Sequence, residues 1–100
     1  MGVEFLENGE ELTAFISGEI DHHSASIIRS QIDDRIQVKK LKKFTLDLNK
    51  ITFMDTSGIG LILGRFKLTK NLGISMKIIN IPEKLKRIIN LSGIKNLGIL

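Results

Sequence analysis

One hundred residues, 42% apolar and 26% charged, describe one small soluble globular domain (residues 1–100) with a single core and no cleft between domains. The chain has no cysteine, which excludes disulfides, thiol chemistry and cysteine zinc sites and accords with a reducing cytosol. The net charge is +4, yet only Arg29 and Arg35 among the 15 basic residues precede Lys39, an asymmetry read first as a solvated basic surface and second as a face for an acidic partner.

The stretch Met1 to Glu11 carries four glutamates and no long apolar run, so it is not read as a signal peptide. Apolar runs elsewhere span only a few residues, which argues against a transmembrane helix. Val3 to Leu6 reads as a strand. Asn8-Gly9 is a hairpin signal, because both residues tolerate positive φ. Leu12 to Ser17 is the returning strand, with Leu12, Ala14 and Ile16 on one face, and Gly18 to Asp21 leaves it as a loop. Asp21 or Ser24 is the cap of a helix whose stripe is Ala25, Ile28, Ile32 and Ile36. The lysines from Lys39 to Lys43 close that segment.

Phe44 to Leu48 alternates apolar and polar, as in a sheet with one buried face, and Asn49 to Asp55 reads as the connection that follows. The next helix is expected from about Ser57 to Leu72, with Ile59, Ile62, Leu63 and Phe66 as its apolar face and Gly73 as its stop. Ser75 to Ile79 is a further strand with Met76 and Ile78 inward. Pro82 suits a first helical position, Leu85, Ile88, Ile89 and Ser92 trace the last helix, and Gly93 ends it. Leu97 to Leu100 reads as a last strand or a tail. The strand–helix–strand unit around Ser57 predicts parallel pairing. The total is an α/β domain with a four- to five-stranded mixed sheet and its helices mainly on one face.

The corner Asp55-Thr56-Ser57-Gly58-Ile59-Gly60 is the most informative stretch. It places hydroxyls and backbone N–H groups at a helix N-terminus, an anion-favouring position. Ser57 reads as the N-cap, as a phosphate-bearing residue, or as both. Gly58 removes bulk beside its hydroxyl. Gly60 and Gly64 cost the helix about 1 kcal/mol each, offset by close approach either of the sheet or of another protein's backbone.

Three pieces resemble the STAS family, within it the bacterial anti-sigma factor antagonists of the sporulation type. They are Gly18-Glu19-Ile20-Asp21-His22-His23, the block from Phe53 to Lys67, and Ile88 to Ile94. The family motif is Asp-Ser/Thr-Ser-Gly with its second hydroxyl residue as phosphoacceptor, which the resemblance places on Ser57. Thr56 stands where the sporulation type often has serine. The resemblance implies a STAS fold and a partner switch with no catalysis, cofactor or metal of its own. The unphosphorylated protein binds an anti-sigma factor that is also a serine kinase, and so releases a sigma factor. Phosphorylation of Ser57 ends the binding, and a serine phosphatase reverses it. The implied contact surface is Asp21, Asp55, Thr56, Ser57, Gly58, Ile59 and Gly60, on a cytoplasmic protein that is a monomer when free. For Asp21 a helix cap or Asx turn stands equally beside the contact role, and for Asp55 a turn-forming role stands beside orienting the hydroxyl.

Stress-response regulation and nucleotide binding are the alternatives within that family. The corner is not the Asp-Thr-Gly of an aspartic protease, because Ser57 interrupts the triplet. Ser57 as a hydrolytic nucleophile needs a base, and His22 and His23 are the only histidines; as neighbours they diverge and read as surface residues. Walker and dinucleotide fingerprints are missing, and with five Phe and no Tyr or Trp the chain has no stacking platform for nucleic acid. Neither nucleic acid nor membrane is therefore expected as a direct partner.

Overall fold

A computed structural model describes residues 2–100; Met1, the first residue of the expected domain, lies outside the described residues. The elements are β1 (Gly2–Asn8), β2 (Glu11–Ile20), α1 (His22–Val38), β3 (Lys43–Met54), α2 (Thr56–Asn71), β4 (Ser75–Ile79) and α3 (Lys86–Leu91). Short 3₁₀ turns at Glu83–Leu85 and Ile94–Leu97 flank α3. The sheet order is β1-β2-β3-β4, with β1 antiparallel to β2 and the other two pairings parallel. The mixed α/β architecture follows the expectation, with four strands among the described residues.

The register explains the core. Leu12, Phe44 and Met76 form one cross-strand row and Ala14, Leu46 and Ile78 the next, all buried in one cluster with the α1 stripe. Ile28, Ile32 and Ile36 are almost wholly removed from water. Each contributes about 1.5–3 kcal/mol, which outweighs the few tenths that β-branching costs a helix. The opposite face carries the row Glu4, Phe15, Asp47 and Ile79 and leaves its phenylalanine and isoleucine exposed. Asp47 is nevertheless buried there. Its two oxygens accept from the Asn49 N–H at 2.9 Å and from Asn80 Nδ2 at 2.8 Å, so no lone carboxylate is stranded.

Several elements differ from the sequence reading. The hairpin loop is Gly9-Glu10, one residue later than Asn8-Gly9, because Asn8 pairs with Glu11 and only Gly9 takes positive φ, at 63°. β2 continues through Gly18, Glu19 and Ile20, and β3 continues through the expected connection to Met54. Two register shifts hide that second half: the buried apolar positions of β3 run Phe44, Leu46, Leu48, Ile51 and Met54, and the spacing widens wherever an extra residue enters. α2 buries Leu61, Ile62, Arg65 and Thr69, whereas Leu63 is exposed. It stops just before Gly73, whose N–H reaches Lys70 O at 3.2 Å and whose φ of 73° turns the Ile74 N–H back to Thr69 O at 2.8 Å. Pro82 caps the 3₁₀ turn before α3 instead of opening the helix. The chain end is a tail whose Ile99 carbonyl accepts the Ile78 N–H at 2.6 Å, covering the outer edge of β4.

Candidate functional site

β2 and β3 end side by side, with Ile20 and Met54 paired in register. Each strand passes into a helix through a single aspartate. Asp21 caps α1 and Asp55 caps α2, in nearly the same extended conformation (φ −115° and −103°). The Asp55 N–H donates to Ile20 O at 3.2 Å, which ties the two corners together. Two helix N-termini therefore open at one end of the sheet.

At the first corner Asp21 Oδ1 accepts the Ser24 N–H at 2.9 Å, and Ser24 Oγ accepts the Asp21 N–H at 2.9 Å, a reciprocal capping box. The Asp21 carboxyl is held below its ordinary pKa, first by the Ser24 backbone N–H and next by the Ser24 hydroxyl, whose Oγ lies 3.1 Å from Oδ1. The cap role, weighed above beside a contact role, is thus present. His22 and His23 are exposed at the helix start.

At the second corner the cap is Asp55, not Ser57. Its Oδ1 accepts the Ser57 N–H at 2.7 Å, so Ser57 lies inside the first turn of α2. A carboxylate reaches the orphan N–H groups directly, which leaves the serine hydroxyl without a capping duty. Among the described residues no hydrogen bond engages the Ser57 hydroxyl, and the residue is half-buried. Thr56 and Gly60 are exposed and Ile59 is half-buried, so these members of the corner share one surface. Gly58 is buried and answers to packing: a Cβ there would overlap Met54 Cγ and lie 2.8 Å from Met54 Sδ. Gly60 and Gly64 differ, since a Cβ on either would meet nothing within 4 Å. Close approach to the sheet, the first explanation offered for them, is therefore overturned.

Between α1 and α2 runs an open groove of about 490 Å³, lined by His22, Ala25, Arg29, Ser57, Gly60 and Arg65 among others. Arg65 is the side chain that sequence reasoning missed. It is 7% exposed, and its Nε lies 2.9 Å from Asp33 Oδ1 on α1. The N–H vector is not aligned with that contact, so the pair is ionic without a formed hydrogen bond, and Nη1 has no partner among the described residues. Burial lowers the Arg65 pKa and raises that of Asp33, each effect opposed by the other's charge. The available signal was spacing: Arg65 falls on the buried stripe with Leu61 and Thr69. Among the described residues no three His, Cys, Asp or Glu side chains converge as a metal site.

A mixed sheet, with a serine corner opening beside a second capped helix, is the arrangement of a known class of domain. The STAS domain model matches residues 3–98, and the chain belongs to that family. It is 38% identical to the anti-sigma F factor antagonist of Paenibacillus polymyxa, over 92% of this chain and 79% of that protein. It is 29% identical to the anti-sigma-B factor antagonist of Bacillus subtilis, over 97% of this chain and 87% of that one. In structure it is similar to the unphosphorylated anti-sigma factor antagonist SpoIIAA, with a TM-score of 0.83 at 24% identity over 96% of this chain and 84% of that one. Among the described residues no helix is long and apolar enough to cross a membrane.

Proposed function

We propose that this chain is an anti-sigma factor antagonist in a phosphorylation-controlled partner switch. In its unphosphorylated form it binds an anti-sigma factor that is also a serine kinase, and the sigma factor is released. The kinase, with ATP in its own site, phosphorylates Ser57 and ends the binding; a separate serine phosphatase restores it. The protein acts in the cytoplasm as a regulator with no reaction of its own.

The observation that carries this reading is the geometry at Ser57. Its N–H is held by Asp55 while its hydroxyl is left free at an accessible corner. A phosphoryl group there adds a charge of about −1.5 to −2. The helix N-terminus favours that charge by about 0.3–1 kcal/mol, and the Asp55 carboxylate opposes it, so the fold survives modification. A partner laid over Asp21, Asp55, Thr56, Ser57, Gly58, Ile59 and Gly60 must then desolvate a dianion. The kinship supports the F-type pathway over the stress-response B-type, at 38% against 29% identity.

The test is incubation with an anti-sigma F factor and ATP, followed by mapping of the modified residue by mass spectrometry. Phosphate on Ser57 is the expected result. Phosphate on Thr56, or none with any anti-sigma kinase, overturns the assignment.

A further inference from the structure

We infer that the groove between α1 and α2 receives one acidic side chain of the partner protein, gripped by Arg65 from the floor and Arg29 from the rim. The inference rests on the partner-switch reading above and adds the chemistry that the partner must present. Arg65 is the first support. A guanidinium carries five donors, and this one is almost wholly buried with Nη1 unpartnered among the described residues and only Asp33 in ionic contact. Buried donors left unfilled are costly, so the folded chain holds Arg65 in a state that an incoming oxygen improves. A carboxylate matches the fork of a guanidinium, and on entering the groove it meets the edge of Arg65 that lines it and adds a second counter-charge to that of Asp33.

The surroundings agree in charge. The titratable groups lining the groove are His22, Arg29 and Arg65, with no carboxylate among them. Asp33 touches Arg65 from α1, where its negative charge leaves the arginine pair in excess. The wall identifies the source of the acid. Gly60 and Gly64 border the groove with open space where their side chains would stand. A bare glycine edge admits another protein's backbone, whereas a small free anion has no need of one. At about 490 Å³ the groove is also larger than an inorganic ion fills.

This arrangement gives the switch its sign. Ser57 lines the same groove as the two arginines. A phosphoryl group on it sets a second anion beside the position of the partner's carboxylate, and like charges in a partly desolvated groove exclude each other.

The experiment measures binding of an anti-sigma F factor by calorimetry at low and high salt, with wild-type chain, Arg29→Gln, Arg65→Met and Ser57→Asp. Arg65→Met is expected to weaken binding about thirtyfold at both salts, as loss of a buried charge partner does. Arg29→Gln is expected to weaken it several-fold, mainly at low salt. Pairing Arg29→Glu with lysine replacements of the partner's surface acids, one at a time, restores binding for one of them. Wild-type binding that Arg29→Gln and Arg65→Met leave unchanged overturns the inference and spares the partner switch. Failure of the wild-type chain to bind while Ser57 is accepted by no anti-sigma kinase removes both. Should Arg65→Met not fold, NMR of the arginine side-chain N–H groups decides: Arg65 signals unmoved by the partner, or moved by inorganic phosphate alone, overturn the inference.

Discussion

Asp55 accepts the backbone N–H of Ser57 at 2.7 Å, so one carboxylate fixes the peptide of the residue whose hydroxyl it leaves free. Asp55→Ala removes the cap and is expected to cost about 1 kcal/mol in urea unfolding, whereas Asp55→Asn keeps an acceptor and stays within a few tenths. The same pair of variants separates folding from presentation of the serine. Phosphorylation of Asp55→Ala by an anti-sigma kinase is expected to slow, and Asp55→Asn to remain near wild type. An alanine variant phosphorylated at the full rate denies Asp55 any role in presenting Ser57.

The hydroxyl itself is tested by charge. Ser57→Ala loses no capping bond, so its unfolding midpoint is expected to match wild type, and it binds the anti-sigma factor whether or not ATP is present. Ser57→Asp carries a fixed anion on the groove and is expected to bind poorly. A penalty of about 3 kcal/mol suffices for more than a hundredfold loss of affinity. Equal affinity of the two variants, measured by calorimetry, removes the charge switch.

The fold was legible where periodicity was unbroken. Ala25, Ile28, Ile32 and Ile36 recur at helical spacing, and Phe44, Leu46 and Leu48 alternate, and all are buried as expected. It became illegible where register slipped. Ile51 and Met54 belong to β3, but each follows an inserted residue, so their pattern resembles a connection. The serine corner was found from residue types alone, but its cap was assigned two residues too far along, because Asp55 and Ser57 are both good caps and only the backbone decides between them. Arg65 and Asp33 escaped for a different reason. Each is charged, Asp33 lies off the apolar stripe of α1, and only the approach of α1 to α2 brings the two together and buries Arg65.

Gly58 and Gly60, two residues apart, are expected to respond to alanine in opposite directions. At Gly58 the new methyl meets buried Met54, so Gly58→Ala forces that side chain to move and costs about 1–3 kcal/mol. At Gly60 nothing lies within 4 Å, so Gly60→Ala raises helix propensity and stabilises by about 0.5–1 kcal/mol. If the glycine edge serves a partner's backbone, the same Gly60→Ala chain binds the anti-sigma factor more weakly although it is more stable. Chemical denaturation and calorimetry on one preparation read both quantities. A stabilised variant with undiminished binding shows that the edge is not in the interface.

The corner at Asp21 makes a prediction about acid. Its folded pKa lies below the unfolded value, because the Ser24 N–H and hydroxyl favour the charged form. The stability this contributes is therefore present above the unfolded value, about pH 4, and is lost as the pH falls through the folded one. Asp33 runs the other way. Burial raises its pKa, so its contribution is fully present below the unfolded value and is lost as the pH rises through the raised folded value. Comparing wild type with Asp21→Asn cancels the Asp33 effect, since both chains carry it. The variant keeps a capping acceptor without the charge, so wild type is expected to have the higher unfolding midpoint at neutral pH. That lead is expected to shrink once the pH drops below the ordinary carboxylate range. Thermal unfolding followed by circular dichroism across that range reads the difference directly. A gap that stays constant from neutral to strongly acidic solution shows that the Asp21 charge contributes nothing to holding this end of the sheet.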